Sequence, residues 1–316
     1  MRVKQAIKIV ITALLLWLAF RTVDLGVLVR LVGSIDPLWL GGALFLTTLI
    51  VVADGLLFAS VLRIFSQHLS SSSAILYSLV GWFFSNVGLS TFGGDVFRGV
   101  QLSRAGTPVA IAVRAVLTMR LVSLAALIPI MLFGFPLAMR FTAHGQEITI
   151  LAGTVATATA ALILVYFFAG IDRRLPIIAR LGLSEKLMTV SNDFRRLLSP
   201  DRDVLTLWLL ALVQHLLRVA ILAALAAGLG LGISLEILFA LIPAALLIAM
   251  IPISFGGWGV REVAFVLVLG MASVGATAAL SLSIAFGALR LIVGAIGGLA
   301  WVLLNETHFG AAAPKA

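Results

Sequence analysis

The chain has 316 residues, of which 62% are hydrophobic and only 11% are charged, and its mean hydropathy is +1.18. Because about 25% of the residues of a soluble domain are charged, this composition excludes a soluble protein and predicts a polytopic membrane protein. The net charge of +9 comes mainly from arginine, since only four of the 22 basic residues are lysine. Arginine within apolar sequence favours anionic lipid head groups over nucleic acid as the partner.

The apolar runs are long and continuous, so we expect an all-α fold and not a barrel of short alternating strands. The whole chain, 1–316, is predicted to form a single integral membrane domain. The chain has no cysteine, which excludes disulfides and thiolate sites. Its four scattered histidines have no metal-ligand spacing, so we expect neither a metal nor any other cofactor.

The first half of the chain predicts three full spans and one broken segment. Residues 1–8 carry positive charge ahead of the apolar run 9–20, which is typical of an uncleaved first span with a cytoplasmic N-terminus, here in the inner (cytoplasmic) membrane. The second span is predicted over 37–62 and the third over 107–139. Between them, 74–104 contains a glycine-rich break followed by charged residues.

The second half repeats this order. Full spans are predicted over 148–169, 204–231 and 277–304, and a second broken segment over 235–270. The polar loop 170–203 carries seven arginine and lysine residues, which places it in the cytoplasm, and its part 187–198 is predicted to form an amphipathic surface helix.

Both broken segments contain the pattern F-G-G-x-x-x-R, as FGGDVFR at 92–98 and FGGWGVR at 255–261. The two copies lie about half the chain length apart, which indicates repeats over 5–140 and 148–305. If the N-terminus and the polar loop are both cytoplasmic, each broken segment must leave the membrane on the side it entered. The sequence therefore predicts six full spans plus two re-entrant helical hairpins in an inverted repeat, with six to eight helices crossing.

The charged residues within these apolar segments are the candidate substrate-binding residues, because charges at membrane depth are costly and usually mark a substrate or ion path. Six arginines are expected to line a cavity for phosphate, with Asp95 and Glu262 orienting them. The glycines at the breaks are expected to let a group approach the main chain closely. A kinked helix whose Arg261 and Glu262 reach the interface is the structural alternative. The arginines are Arg98, Arg114, Arg120, Arg218, Arg261 and Arg290, and the glycines are Gly93, Gly94, Gly256, Gly257 and Gly259.

At these two motifs the chain resembles the lysylphosphatidylglycerol synthase transmembrane region, a flippase-like membrane family. The first element is Gly93-Gly94-Asp95 with Arg98, and the second is Pro252 followed by glycines and Arg261-Glu262. The resemblance covers roughly residues 5 to 305. It implies movement of aminoacylated phosphatidylglycerol between leaflets in the larger family proteins, where a soluble aminoacyl-transferring domain follows. Because this chain stops soon after its last span, we do not expect synthase activity.

Three functions remain open at this stage. The first is a flippase or transporter that moves an anionic phospholipid or lipid-linked head group across the cytoplasmic membrane; it needs no catalytic residue, and we expect none. The second is a non-transporting membrane partner of a separate lipid glycosyl- or aminoacyl-transferase. The third is a transferase that modifies a membrane lipid. Such an enzyme would need a positioned acid or base, for which the residues available are Asp54, Asp95, His215 and Glu262.

Overall fold

The computed structural model describes residues 10, 30, 33–87, 92–142, 145–167, 184–251 and 258–303. These residues are predominantly helical and contain no strand, which confirms the all-α class. Ten helices are described within them. They are α1 (Pro37–Ile64), α2 (Ser71–Val87), α3 (Gly93–Arg104), α4 (Val109–Phe141), α5 (Gly145–Phe167), α6 (Ser184–Arg196), α7 (Arg202–Gly228), α8 (Leu235–Ala249), α9 (Val260–Gly270) and α10 (Ala276–Leu303).

Five of the described helices are long and apolar enough to cross a membrane. They are α1, α4, α5, α7 and α10, and they coincide with the second to sixth predicted spans. The first predicted span, 9–20, lies outside the described residues apart from Val10. The count of six full spans therefore stays a prediction.

Polar caps fix where several helices begin. The side chain of Asp36 accepts a hydrogen bond from the backbone N–H of Leu38 at 2.8 Å, and Pro37 follows as the first residue of α1. Proline suits this position because the first helical N–H has no partner within the helix. Ser234 caps α8 in the same way, accepting from the N–H of Ile237 at 3.3 Å.

Each predicted broken segment forms two helices that pack on each other, α2 with α3 and α8 with α9. Glycine allows the close approach of α3 to α2, since a Cβ on Gly93 would come within 2.8 Å of the carbonyl carbon of Phe84. Gly259, which precedes α9, has a φ of +87°, a conformation that favours glycine. The breaks themselves, 88–91 and 252–257, lie outside the described residues. That both helix pairs are re-entrant stays a prediction.

The contacts between helices show an internal correspondence. In it, α1, α2, α3 and α4 correspond to α7, α8, α9 and α10, respectively. The helices α1 and α7 pack on each other, and α2 packs on α10 as α8 packs on α4. The contacts of α1 with α2 and of α3 with α4 likewise have counterparts in those of α7 with α8 and of α9 with α10. Two structurally related halves would produce this pattern, while the repeats over 5–140 and 148–305 stay a prediction.

Buried apolar side chains form two large clusters. One includes Leu222 and Phe265, and the other includes Leu62 and Tyr77. Within the polar loop 170–203, α6 lies against α4 and α5 and contributes Phe194 to the second cluster. It corresponds to the predicted amphipathic surface helix, although it begins three residues earlier, at Ser184.

Candidate anion-binding cavity

A cavity of about 210 Å³ lies between helices α1 to α4 and helices α7 to α10. Each of the helices α1 to α4 and α7 to α10 contributes at least one residue to its wall. Its lining also draws on both apolar clusters, through residues such as Ile50 and Leu57. The polar residues of the wall are Thr47, Asp54, Trp82, Ser85, Asp95, Arg98, Arg120, Ser123, Gln214, His215, Arg218, Arg261 and Arg290.

On the side of the first half, two arginines and two aspartates form a balanced chain of charges. Arg98 pairs with Asp54 of α1 through one nitrogen and with Asp95 through another, the latter at 3.3 Å. Arg120 of α4 pairs with the second oxygen of Asp95. Each carboxylate is therefore bound by at least one guanidinium, and buried charges of this kind need such partners.

On the side of the second half, Arg261 is held by Glu262. Its Nε and Nη2 donate to Glu262 Oε1 at 3.1 and 2.5 Å, and Nε also donates to the hydroxyl of Ser283 at 3.2 Å. The other carboxylate oxygen of Glu262 accepts the backbone N–H of Gly259 at 2.6 Å. Glu262 thus caps the start of α9 and occupies the backbone donor of Gly259, which is therefore not open to a ligand anion.

Arg218 of α7 is held by neutral groups. Its Nη2 donates to Gln214 Oε1 at 3.2 Å, and its Nη1 lies 3.4 Å from His215 Nδ1. The other ring nitrogen of His215 lies 2.8 Å from the carbonyl oxygen of Ser123 and donates to it, which leaves Nδ1 to accept from Arg218. The described part of the chain offers Arg218 no carboxylate within ion-pair distance.

Arg290 of α10 also lacks an acidic partner among the residues described. Its guanidinium lies 5.5 Å from the ring centre of Trp82, and its backbone carbonyl accepts from the side chain of Asn86 at 3.0 Å. A cation over an aromatic face is attracted by the ring but keeps its full charge.

The charges around the cavity therefore do not cancel. Among the described residues, five arginines line it, whereas the acids that line it or pair with its arginines are Asp54, Asp95 and Glu262. With neutral His215, two positive charges are left over, and they belong to Arg218 and Arg290. Uncompensated positive charge among apolar helices is costly, so this wall favours a bound anion.

Of the predicted site residues, Asp95 and five of the six arginines line the cavity, and Glu262 lies behind Arg261. Arg114 does not line this cavity, and its role in substrate binding stays a prediction. Its guanidinium binds Asp193 of α6, with Nε and Nη2 at 2.8 and 2.5 Å from the two carboxylate oxygens. Arg114 and Arg120 are six residues apart on one helix, which places them about 120° apart around its axis and about 9 Å apart along it, so they face different sides.

The predicted glycines act on packing in the part of the chain that the structure describes. Gly93 and Gly94 let α3 approach α2, and Gly259 supplies the positive φ before α9. Gly256 and Gly257 lie outside the described residues. One glycine that matters was not predicted as a site residue: a Cβ on Gly287 of α10 would overlap the guanidinium of Arg261 and come within 2.8 Å of the Trp258 ring.

Sequence reasoning also missed several partners of the arginines. Trp82 and Ser283 gave no signal, because a single tryptophan or serine in an apolar helix is common. Asp54 did give a signal, because it is a carboxylate inside a predicted span. The four-residue spacing of Gln214 and Arg218 predicts a shared helix face, and their hydrogen bond confirms it.

The model of the family described as lysylphosphatidylglycerol synthase TM region matches residues 5–298. The chain belongs to this family. Membership, together with the five long apolar helices, makes it a multi-pass membrane protein of a family connected with lipid handling. No curated protein matches the sequence. The matched range includes both FGG motifs and every residue of the cavity wall.

Proposed function

We propose that this protein is a flippase that moves an anionic phospholipid or lipid-linked head group across the cytoplasmic membrane. The observation that carries the proposal is the cavity wall, in which Arg218 and Arg290 have no carboxylate partner in the described structure while three other arginines stand beside them. The planar guanidinium group of arginine acts as a fork of N–H donors that can bind two phosphate oxygens at once, which makes the interaction strong. A site of this kind among membrane helices would compensate a head-group charge at a depth where the bilayer cannot.

The size and lining of the cavity fit a head group better than a whole lipid. Its volume, about 210 Å³, is below the roughly 300–1,000 Å³ typical of pockets that enclose drug-sized ligands. Acyl chains would stay in the bilayer while the head group enters the arginine-lined space. Apolar residues such as Leu246 and Phe286 share the wall and would contact the glycerol or prenyl portion next to the phosphate.

Movement of the two halves against each other would carry the head group between leaflets. The paired helix contacts described above support two related halves, and a site between repeats is the usual position in transporters built this way. In this proposal the N-terminus and loop 170–203 are cytoplasmic, the motif-bearing helix pairs are re-entrant, and no cofactor takes part.

We favour transport over catalysis because the acid and base candidates already have partners. Asp54 and Asp95 bind arginines, Glu262 binds Arg261 and the N–H of Gly259, and His215 uses both ring nitrogens. A general acid or base must reach a substrate proton. In this conformation each of the four would first have to give up an existing bond.

The proposal is tested by reconstituting the purified protein into liposomes that contain fluorescent phosphatidylglycerol, and following its loss from the outer leaflet by chemical quenching. Faster exchange of phosphatidylglycerol than of equally labelled phosphatidylcholine is expected, and empty liposomes should show neither. Absence of exchange for anionic phospholipids and lipid-linked glycans would contradict the proposal. Co-purification of a lipid transferase with such an inactive protein would favour the partner alternative.

A further inference from the structure

The excess charge is not shared equally by the two halves. On the first-half side, Arg98 and Arg120 are matched by Asp54 and Asp95. On the second-half side, Arg261 is matched by Glu262, whereas Arg218 and Arg290 are not matched within the described chain. Both unmatched arginines belong to helices of the second half, α7 and α10. The anion-selective part of the wall is therefore localised.

We propose that Arg218 and Arg290 form a head-group subsite that takes two negative charges, as a lipid phosphomonoester or diphosphate carries, in preference to the single charge of a phosphodiester. The inference rests on the flippase function proposed above and names the chemical class of its substrate. It follows from charge compensation: the two unmatched guanidinium groups, partly buried and facing the cavity, are balanced by two negative charges and only half balanced by one.

The other cavity arginines are less available to a ligand. Arg98, Arg120 and Arg261 already donate to carboxylates, so a phosphate could reach their forks only in competition with an ion pair. At Arg218 and Arg290, a phosphate would have no carboxylate of the described residues to displace. Because a guanidinium has five N–H donors, the two side chains can offer several donors to neighbouring phosphate oxygens.

A third donor in the same wall points to a ligand independently. Gln214 is only 2% exposed, and its side-chain Nε2 has no hydrogen-bond partner within the described structure. Its Oε1 is held by Arg218 at 3.2 Å, which fixes the direction of the amide. A buried donor without a partner is costly, so the amide of Gln214 adds a hydrogen bond that a ligand oxygen in this wall would satisfy.

The two arginines are held in place without being neutralised. His215, fixed by the carbonyl of Ser123, accepts from Arg218 through its neutral Nδ1. Trp82 lies beneath the guanidinium of Arg290, and the bond from Asn86 to the Arg290 carbonyl ties α10 to α2 at this level. Pre-positioned donors lose less conformational freedom on binding, so the arrangement favours tight recognition.

The direct test measures lipid binding to the purified full-length protein by native mass spectrometry. The probes are phosphatidic acid, a polyprenyl diphosphate and phosphatidylglycerol, the first and last with identical acyl chains. We expect both doubly charged lipids to bind about tenfold or more tightly than phosphatidylglycerol, as bidentate charge-assisted bonds to a second arginine would give. Preference for only one of the two would assign the subsite to a terminal monoester or to a diphosphate.

Single substitutions test which residues cause the preference for doubly charged lipids. Arg218→Gln and Arg290→Gln should each bring the affinity ratio of phosphatidic acid to phosphatidylglycerol close to one. Arg290→Lys, which keeps the charge but not the fork, should retain part of the ratio and shows that the site still folds. Arg140→Gln changes an exposed arginine of α4 and should leave both affinities unchanged. Equal affinity of the wild-type protein for the two lipids, or an unchanged ratio in both Gln variants, would overturn the proposal.

The charge of the ligand provides a second readout. The second pKa of a phosphomonoester is about 6, so phosphatidic acid loses one charge between pH 8 and pH 5 whereas phosphatidylglycerol does not. The ratio of the two affinities should fall over this interval. Protonation of His215, Asp54, Asp95 or Glu262 would make the wall more positive and favour the more highly charged lipid, so it cannot produce this fall. A ratio that stays constant or rises with acid would contradict recognition by charge number.

The flippase function and the subsite for doubly charged head groups can be contradicted separately. Liposomes that exchange phosphatidylglycerol and phosphatidic acid equally well, with equal binding, would leave the flippase standing and remove the subsite. Selective binding by a protein that moves no lipid would leave the subsite standing and remove the flippase.

Discussion

At the scale of single residues, Arg261 and Glu262 show how this protein keeps charge inside apolar helices. Glu262 is fully buried and Arg261 nearly so, yet their charged groups bind each other, Ser283 and the backbone of Gly259. Removing one member of such a pair is strongly destabilising because it leaves an uncompensated charge. The two residues therefore support the cavity wall as well as contribute to it.

Arg261→Lys tests this double role. A lysine ammonium keeps the charge but cannot reproduce the planar fork with which Arg261 contacts Glu262 and Ser283. We expect both a lower unfolding temperature in detergent and slower lipid transfer. Arg140→Lys, at an exposed position of α4, is the matched control and should be neutral. Wild-type stability together with wild-type transfer in the Arg261→Lys variant would show that the fork is unnecessary.

Gly287→Ala tests the space behind the guanidinium. In most helices this exchange stabilises slightly, but here the new Cβ would overlap Arg261 and approach Trp258. We expect a loss of about 1–3 kcal/mol in the free energy of unfolding, as for other overpacked sites. Gly153→Ala in α5, where no atom lies within 4 Å of the added Cβ, should be neutral or stabilising. Equal behaviour of the two variants would count against the packing described.

At the scale of elements, α6 is fastened to the membrane helices by a few polar contacts. Asp193 binds Arg114 of α4, and the side chains of Ser191 and Arg195 donate to the carbonyl of Tyr166 at 3.0 and 2.9 Å. The ring N–H of Trp208 donates to the carbonyl of Leu197 just beyond α6. Arg114, predicted as a substrate residue, thus contributes to the attachment of a surface helix.

Asp193→Asn should loosen α6 without affecting the cavity. The ion pair is partly exposed on the arginine side, so its removal is expected to cost only about 1 kcal/mol or less. Hydrogen exchange of residues 188–198 should become faster, while binding of anionic lipid should be unchanged. Weaker lipid binding in this variant would mean that α6 and the cavity are coupled, contrary to the separation seen here.

At the scale of the whole molecule, much of the architecture could be predicted from the sequence. Five spans and both broken segments follow from long apolar runs and their glycine interruptions, because these patterns reflect the bilayer itself. It was harder to predict from the sequence which arginines line the same cavity. Arg114 and Arg120 look equivalent along the chain, and only helix phase and the distant Asp193 separate them. The lack of a carboxylate for Arg218 and Arg290 depends on contacts between helices that no local pattern encodes.

The topology can be tested with single cysteines, since the natural chain has none. Gly145 is exposed at the start of α5, with no atom within 4 Å of an added Cβ, and Asn192 is exposed on α6. A membrane-impermeant thiol reagent applied to intact cells should label Gly145→Cys and not Asn192→Cys. The reverse labelling would contradict the predicted orientation, in which 170–203 is cytoplasmic.

The measurement that bears most directly on the central claim is the initial rate of anionic-lipid transfer in liposomes containing equal amounts of wild-type, Arg290→Gln or Arg140→Gln protein. If the unmatched cavity charges carry the head group, Arg290→Gln should slow transfer about tenfold or more, equivalent to roughly 1.4 kcal/mol, whereas Arg140→Gln should match the wild type. Transfer by Arg290→Gln at the wild-type rate would contradict the account.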